Sequence, residues 1–244
     1  MKNKISILAL LTFIIVGILY SCNRTSENQD NTLDTKTQKI LSIDAKKLAQ
    51  KHNEVLHIFS NLVNQRTSSR IAYTEQQIYD DLMIADVGLD TNTKIQVYDY
   101  IDAHSDVETN MNSVANSLNT SVAKNLYLSL NQQIDNVGDY DSTINIIENN
   151  KNNISAISNS FDRQVLEIFI ETCKASAYYW YIENPDSGKF LTTGRRVPEW
   201  VRKDGNGIAQ ASIGWAIGAA IYGGGPGGYF LALGVGGAIS SIWP

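Results

Sequence analysis

Proline is absent from Lys36 to Asn184, and glycine occurs in that span only at Gly88 and Gly138. Strand-and-turn architectures are punctuated by both residues, so a long stretch almost free of breakers points to helices. Positive charge is also scarce. Lys and Arg total 20 against 25 Asp and Glu, a formal net charge of −5. That balance argues against nucleic acid, whose phosphates require a basic face. Cysteine occurs only twice. The last 40 residues, from Gly205 onward, contain no Asp, Glu, Lys or Arg at all, and 12 of them are glycine.

What is present begins with the amino terminus. Lys2 and Lys4 precede an almost wholly apolar stretch, Ile5 to Leu19, and Leu19-Tyr20-Ser21-Cys22 follows. As a helix the apolar run would rise only about 22 Å, short of a hydrocarbon core of about 30 Å, so a secretory signal fits better than a transmembrane anchor. The tetrapeptide resembles the lipobox of bacterial lipoproteins. That resemblance implies cleavage after Ser21 and a lipidated Cys22 that anchors the chain to a membrane. Three acyl chains would hold far more firmly than one, since each buried methylene adds about 0.8 kcal/mol. Asn23 stands where an aspartate would resemble the inner-membrane retention signal of enterobacterial lipoproteins. An exported protein, in the outer membrane rather than the inner, is therefore expected. Removing residues 1–21 takes away Lys2 and Lys4, leaving 18 basic residues against 25 acidic, a net charge of −7. Cys173 is then left without an intrachain partner, and its apolar, aromatic neighbours predict a buried structural thiol. Residues 22–39 are polar apart from Leu33 and read as a flexible tether.

Residues 40–183 show helical spacing throughout. Leu41, Ala45, Leu48, His52, Val55, Phe59 and Leu62 recur every three or four positions. Thr74 with Gln77 forms a capping box for a short helix that Gly88 ends, and Thr93 to Ala103 makes another. Val107, Met111, Val114, Leu118, Val122, Leu126, Leu130, Ile134 and Val137 trace one long seam closed by Gly138. Phe161, Val165, Ile168, Phe169, Cys173, Ser176 and Trp180 trace the last. The expected fold is all-α: a helical bundle followed by a glycine-rich C-terminal helical hairpin. Gln77-Ile78-Tyr79-Asp80 recurs as Gln96-Val97-Tyr98-Asp99, but two short copies do not make a repeat architecture.

Residues 184–204 hold Pro185, Gly188, Gly194 and Pro198 with Lys189, Arg195, Arg196, Arg202 and Lys203. They read as an irregular basic connector, a solvated loop or a contact for anionic headgroups. In residues 205–244, Ile208–Tyr222 and Tyr229–Trp243 flank a glycine-proline turn. Ala211, Gly214 and Gly218 on the first arm, and Ala232, Gly236 and Ser240 on the second, form small-residue faces where another helix can approach closely. This spacing resembles the glycine-zipper hairpins of bacterial envelope proteins and, more loosely, the small-residue helices of two-peptide bacteriocins. A hairpin packed on the bundle is favoured over one entering a membrane, because each arm is short for a bilayer. A protein partner or a membrane could meet residues 205–243.

Chemistry-bearing constellations are sparse. His52 and His57 are five apart, about 140° around a helix, so they cannot share a zinc as the i, i+4 motif does. Asp135, Asp139 and Asp141 sit in an acidic turn, but an EF-hand counted from Asp139 puts Ile144 at the glycine position and Asn150 at the glutamate. Asp80, Asp81, Asp86, Asp90, Asp99, Asp102 and Asp106 read as a wet face rather than an acid–base pair. Asp141-Ser142-Thr143 resembles the short O-glycosylation acceptor of Bacteroidota envelope proteins. No nucleophile elbow, phosphate loop or dinucleotide fingerprint is present. Neither a cofactor nor a metal is expected. The leading expectation is a non-enzymatic, lipid-anchored envelope protein with a structural or interaction role. Its rivals are a membrane-active, bacteriocin-like antibacterial protein using the tail, and a periplasmic hydrolase.

Overall fold

The computed structural model describes residues 35–67, 107–183 and 197–222, and they form an all-α fold with no strand among them. The helices are α1 (Ala45–Thr67), α2 (Val107–Ser117), α3 (Ser121–Asp135), α4 (Tyr140–Ser155), α5 (Ser160–Tyr178) and α6 (Val197–Tyr222). A π-helical turn, Tyr179–Glu183, extends α5. The centre of the bundle is α6, which packs against α5, α2 and α3, while α1 and α4 cover other faces of α5.

Each start has a chemical cause. Thr120, Asp139 and Asn159 are extended N-cap residues whose side chains accept from Ala123, Ser142 and Asp162 backbone N–H groups respectively. At α6, Pro198 falls in the first turn, where its missing N–H has no partner to lose, and Glu199 beside it suits the helix dipole.

Four sequence expectations change here. The end of the expected tether, residues 35–39, belongs to a short helix that runs to residue 41, where Ile40 is fully buried and Lys36 sits 4.3 Å above the Phe161 ring; the rest of the tether lies outside the described residues. This short helix breaks before α1, which shifts the phase and leaves Leu41 half exposed. The long seam from Val107 to Val137 is two helices, interrupted at residues 118–120. After the break Ala123 and Tyr127 take the inward positions in place of Val122, which is 68% exposed, and Leu126, while Leu130 and Ile134 of the seam are buried as expected. Finally, the connector expected through residue 204 ends early, since Val197 onward is helix and Arg202 and Lys203 lie in the core rather than in solvent. Prolines within a first turn do not break a helix.

The acidic stretch at residues 80–106, the paired Gln-x-Tyr-Asp segments, the signal and the second hairpin arm lie outside the described residues.

Candidate functional site

An interior polar layer runs across the bundle where α6 carries Arg202, Lys203, Asp204 and Asn206, all buried. Asp204 Oδ2 accepts from Ser176 Oγ at 2.5 Å and from Trp180 Nε1 at 3.0 Å. Its other oxygen lies 3.4 Å from His52 Nε2, reaching α1. Asn206 accepts from the Tyr127 hydroxyl and donates to Asn131 Oδ1 at 2.8 Å, while Asn131 donates to Tyr127 O at 3.1 Å. Arg202 spans two helices, with Nη2 3.0 Å from Glu108 of α2 and Nη1 3.0 Å from Asp135 of α3. This stretch of α6 therefore reaches α2 and α3 from the side that carries Arg202 and Asn206, and α5 and α1 from the opposite side, which carries Asp204. Buried polar groups of this kind fix the register of a helix whose small residues would otherwise slide.

Serine, aspartate and histidine meet in this layer, but in the wrong order for nucleophilic catalysis. A hydrolase triad places the imidazole between the other two, where it takes the hydroxyl proton. Here the carboxylate is in the middle, Ser176 donates to it, and all three side chains are fully buried. The arrangement holds helices together.

Beside the layer, α6 approaches α5 closely at Gly205. A methyl there would press into Cys173 Sγ and come within 2.9 Å of the Phe169 ring. Of the predicted small-residue face, Ala211 is buried but Gly214 is exposed, and Gly218 continues the helix. Ala232, Gly236 and Ser240 fall outside the described residues. The close-packing glycine thus lies one to two turns before the face read from spacing. Ser176 and Trp180 were legible as core positions, but nothing local marked them as partners of Asp204.

Burial pushes the Cys173 thiol well above its ordinary range, the nearby Asp204 carboxylate adding to the effect. Its sulfur donates to Val201 O at 3.6 Å. In a variant lacking Cys22, Cys173 is expected to be inert to a thiol-specific disulfide reagent at pH 8 and to react fully once unfolded. Rapid stoichiometric reaction of the native chain would contradict its place in the core. Burial likewise raises the Tyr127 phenol, which packs edge-on against Phe169 at 5.0 Å.

On the surface, α1, the start of α4 and the end of α5 with its π-turn enclose a groove of about 650 Å³. His57 is half exposed there, its Nε2 3.0 Å from Glu183 and its ring edge-on to Tyr179. Tyr140 and Tyr178 pair edge-to-face at 6.1 Å across the groove wall. Lys174 bridges to Glu148 at 2.9 Å, and with Lys151 it holds that carboxyl below its ordinary range by hydrogen bonding. His52 and His57 thus point to opposite sides, one inside and one outside. Among the described residues the lining contains no serine, threonine or cysteine.

At the α4 start, Asp139 caps the helix through Ser142 N and Ser142 Oγ, and Thr143 is buried, donating to Asp139 O. The acidic turn is thus a helix cap, and the hydroxyls of Asp141-Ser142-Thr143 are engaged in it. Comparison with known proteins finds no match: no family model, no curated protein and no solved structure aligns significantly with this chain.

Proposed function

We propose that this chain is a lipid-anchored protein of the bacterial envelope whose helical body acts non-enzymatically, as a structural or interaction module. The observation that carries the reading is the amino-terminal pattern, a basic start, a short apolar run and Leu19-Tyr20-Ser21-Cys22. No helix among the described residues is long and apolar enough to cross a membrane. On this reading attachment rests on the acyl chains at Cys22, with the outer membrane the favoured address.

The described side chains support a binding role over a catalytic one. Ser176 and His52 are sealed in the core, and no serine, threonine or cysteine is among the described residues lining the groove of the accessible His57–Glu183 pair. The membrane-active alternative loses part of its motive, because Arg202 and Lys203 of the basic stretch face inward and the first glycine-rich arm is seated in the bundle as far as Ala216. The groove between α1 and α5, with its two tyrosines and mixed charge, is the surface offered to a partner.

Metabolic labelling with an alkyne fatty acid tests the anchor. The wild-type chain is expected to take up label and to fractionate with membranes, and Cys22→Ala to do neither. A Cys22→Ala chain that still incorporates label contradicts the proposal.

A further inference from the structure

The starts of α3 and α5 and the approach to α1 gather at one end of the bundle. Asp162, in the first turn of α5, accepts from Asn119 and Thr120 just ahead of α3. Gln164 donates to Ile43 O just ahead of α1 at 2.7 Å, and Lys36 lies over Phe161. Three cations stand at this end on neutral partners. Lys36 sits on the ring, Lys124 donates to Asn116 Oδ1 at 3.1 Å, and Arg163 donates to Ile157 O at 2.9 Å. All three are partly exposed. The Asp162 carboxylate that acts on Lys36 is fully buried beneath its own donors, and Asp44 is offset by Lys47 at 3.6 Å.

The opposite end is acidic. There α3 finishes at Asp135, and α4 begins at Tyr140, whose ring meets Tyr178 at the end of α5. Asp139 and Asp141 are exposed, and hydrogen bonding from the Ser142 backbone holds Asp139 below the ordinary carboxylate range. Glu183 ends the π-turn beside them. Two features join the chain's apolar attachments to the basic end instead. Residues 23–34 alone separate Cys22 from the helix that begins at Thr35, a reach of at most about 45 Å. In addition, α6 meets Asp135 through Arg202, and Asn131 and Tyr127 through Asn206, so it runs antiparallel to α3 and towards the basic end. Its last described buried position is Ala216, and the uncharged helical turns from there to Tyr222 add about 9 Å.

We propose that the end carrying Lys36, Lys124 and Arg163 is the membrane-facing surface of the protein, and that its partner is the anionic leaflet holding the acyl chains of Cys22. This rests on the lipid anchor proposed above, which sets the distance; charge then sets which end turns towards the lipid. A cation near an anionic surface strengthens contact by about fivefold, so three together favour this orientation by on the order of a hundredfold. The acids do not cancel that preference. A helix the length of α5 separates the two ends by about 28 Å, well beyond a screening length of about 8 Å in physiological salt. Val122, 68% exposed in the first turn of α3, adds an apolar side chain at the same end. The groove of His57 and Glu183 lies at the other end, and in this orientation it opens away from the lipid.

The test uses the full acylated chain in vesicles of phosphatidylglycerol and phosphatidylcholine that carry a spin label on a lipid headgroup. Val122→Cys and Asp141→Cys, in separate samples, hold a thiol-linked fluorophore; Cys173 is sealed in the core and does not compete. Strong quenching is expected at residue 122 and little at residue 141. The preference should fall several-fold in phosphatidylcholine alone, and in about 1 M salt, where the screening length is about 3 Å. Lys36→Gln, Lys124→Gln and Arg163→Gln combined should lower it likewise. Lys51→Gln, Lys151→Gln and Lys174→Gln combined remove the same charge elsewhere and should leave it in place. Equal quenching at the two positions, or a preference unchanged on neutral vesicles, overturns the proposal. Should the first triple variant fail to fold, lipid composition and salt decide with the cations intact. Mass spectrometry of the same sample reads the anchor separately. An unacylated Cys22 overturns the anchor and the orientation together, whereas an acylated chain quenched equally at both positions overturns the orientation alone.

Discussion

Replacing Asp162 by alanine is expected to destabilise the protein by about 3–5 kcal/mol, among the largest effects a single polar substitution can have. The carboxylate lies fully buried in the first turn of α5 and accepts four hydrogen bonds from one corner of the chain. Asn119 supplies its backbone N–H at 2.7 Å and its amide at 3.1 Å. Thr120 supplies its backbone N–H at 2.9 Å and its hydroxyl at 2.7 Å. Alanine would strand all of these donors at once. Thr120 is moreover the N-cap of α3, so the corner that Asp162 grips is the one that ends α2 and starts α3. Asp162→Asn keeps one acceptor and turns the other into a donor facing donors, so its cost should fall between wild type and alanine. Thr120→Ala removes the cap and one of the four bonds, a loss of about 1–2 kcal/mol. Urea unfolding followed by circular dichroism orders the three variants. An Asp162→Ala midpoint close to wild type contradicts the role assigned to this carboxylate.

The second large effect concerns Gly205. On an exposed helix, exchanging glycine for alanine would stabilise by about 1 kcal/mol. Here the sign reverses, because the new methyl meets Cys173 Sγ and two atoms of the Phe169 ring inside the α5–α6 contact. A net destabilisation of about 1–3 kcal/mol is expected from this overpacking. Cys173→Ala removes the nearest obstacle. The double variant should therefore recover about 1–2 kcal/mol relative to the sum of the single changes, where independent sites would add to within about 0.5 kcal/mol. Additivity in that cycle would show that the two helices do not meet at this pair.

The all-α character was legible because periodicity and missing breakers act locally, and the inward positions of α5 follow its seam from Phe161 to Trp180. The break at residues 118–120 was not. Leu118 and Val122 keep helical spacing across it, and what stops the helix is a carboxylate more than 40 positions away. Local spacing cannot register a partner at that distance. The α6 start was obscured for a related reason. Pro198 and the cations after it have the composition of a loop, but the acids that meet Arg202 come from α2 and α3. Charge counted along the chain does not reveal a cation satisfied across a core. The small-residue pattern identified the right helix and missed its close contact at Gly205, because an i, i+4 rule does not say which turn faces a neighbour. The interior polar layer was invisible as a unit, since His52, Tyr127, Ser176 and Asp204 come from four separate helices.

The position of α6 has a consequence for how the chain is made. The bundle's central helix is the last of those described to leave the ribosome, and it contacts segments synthesised long before it. Until Val201, Asp204 and Gly205 emerge, α5 exposes the face that they will cover, and Ser176 and Trp180 wait without their shared acceptor. Contacts of high sequence separation close late and slowly. The described bundle is thus an unfinished shell until α6 threads home, and translation itself sets the moment at which these helices can lock.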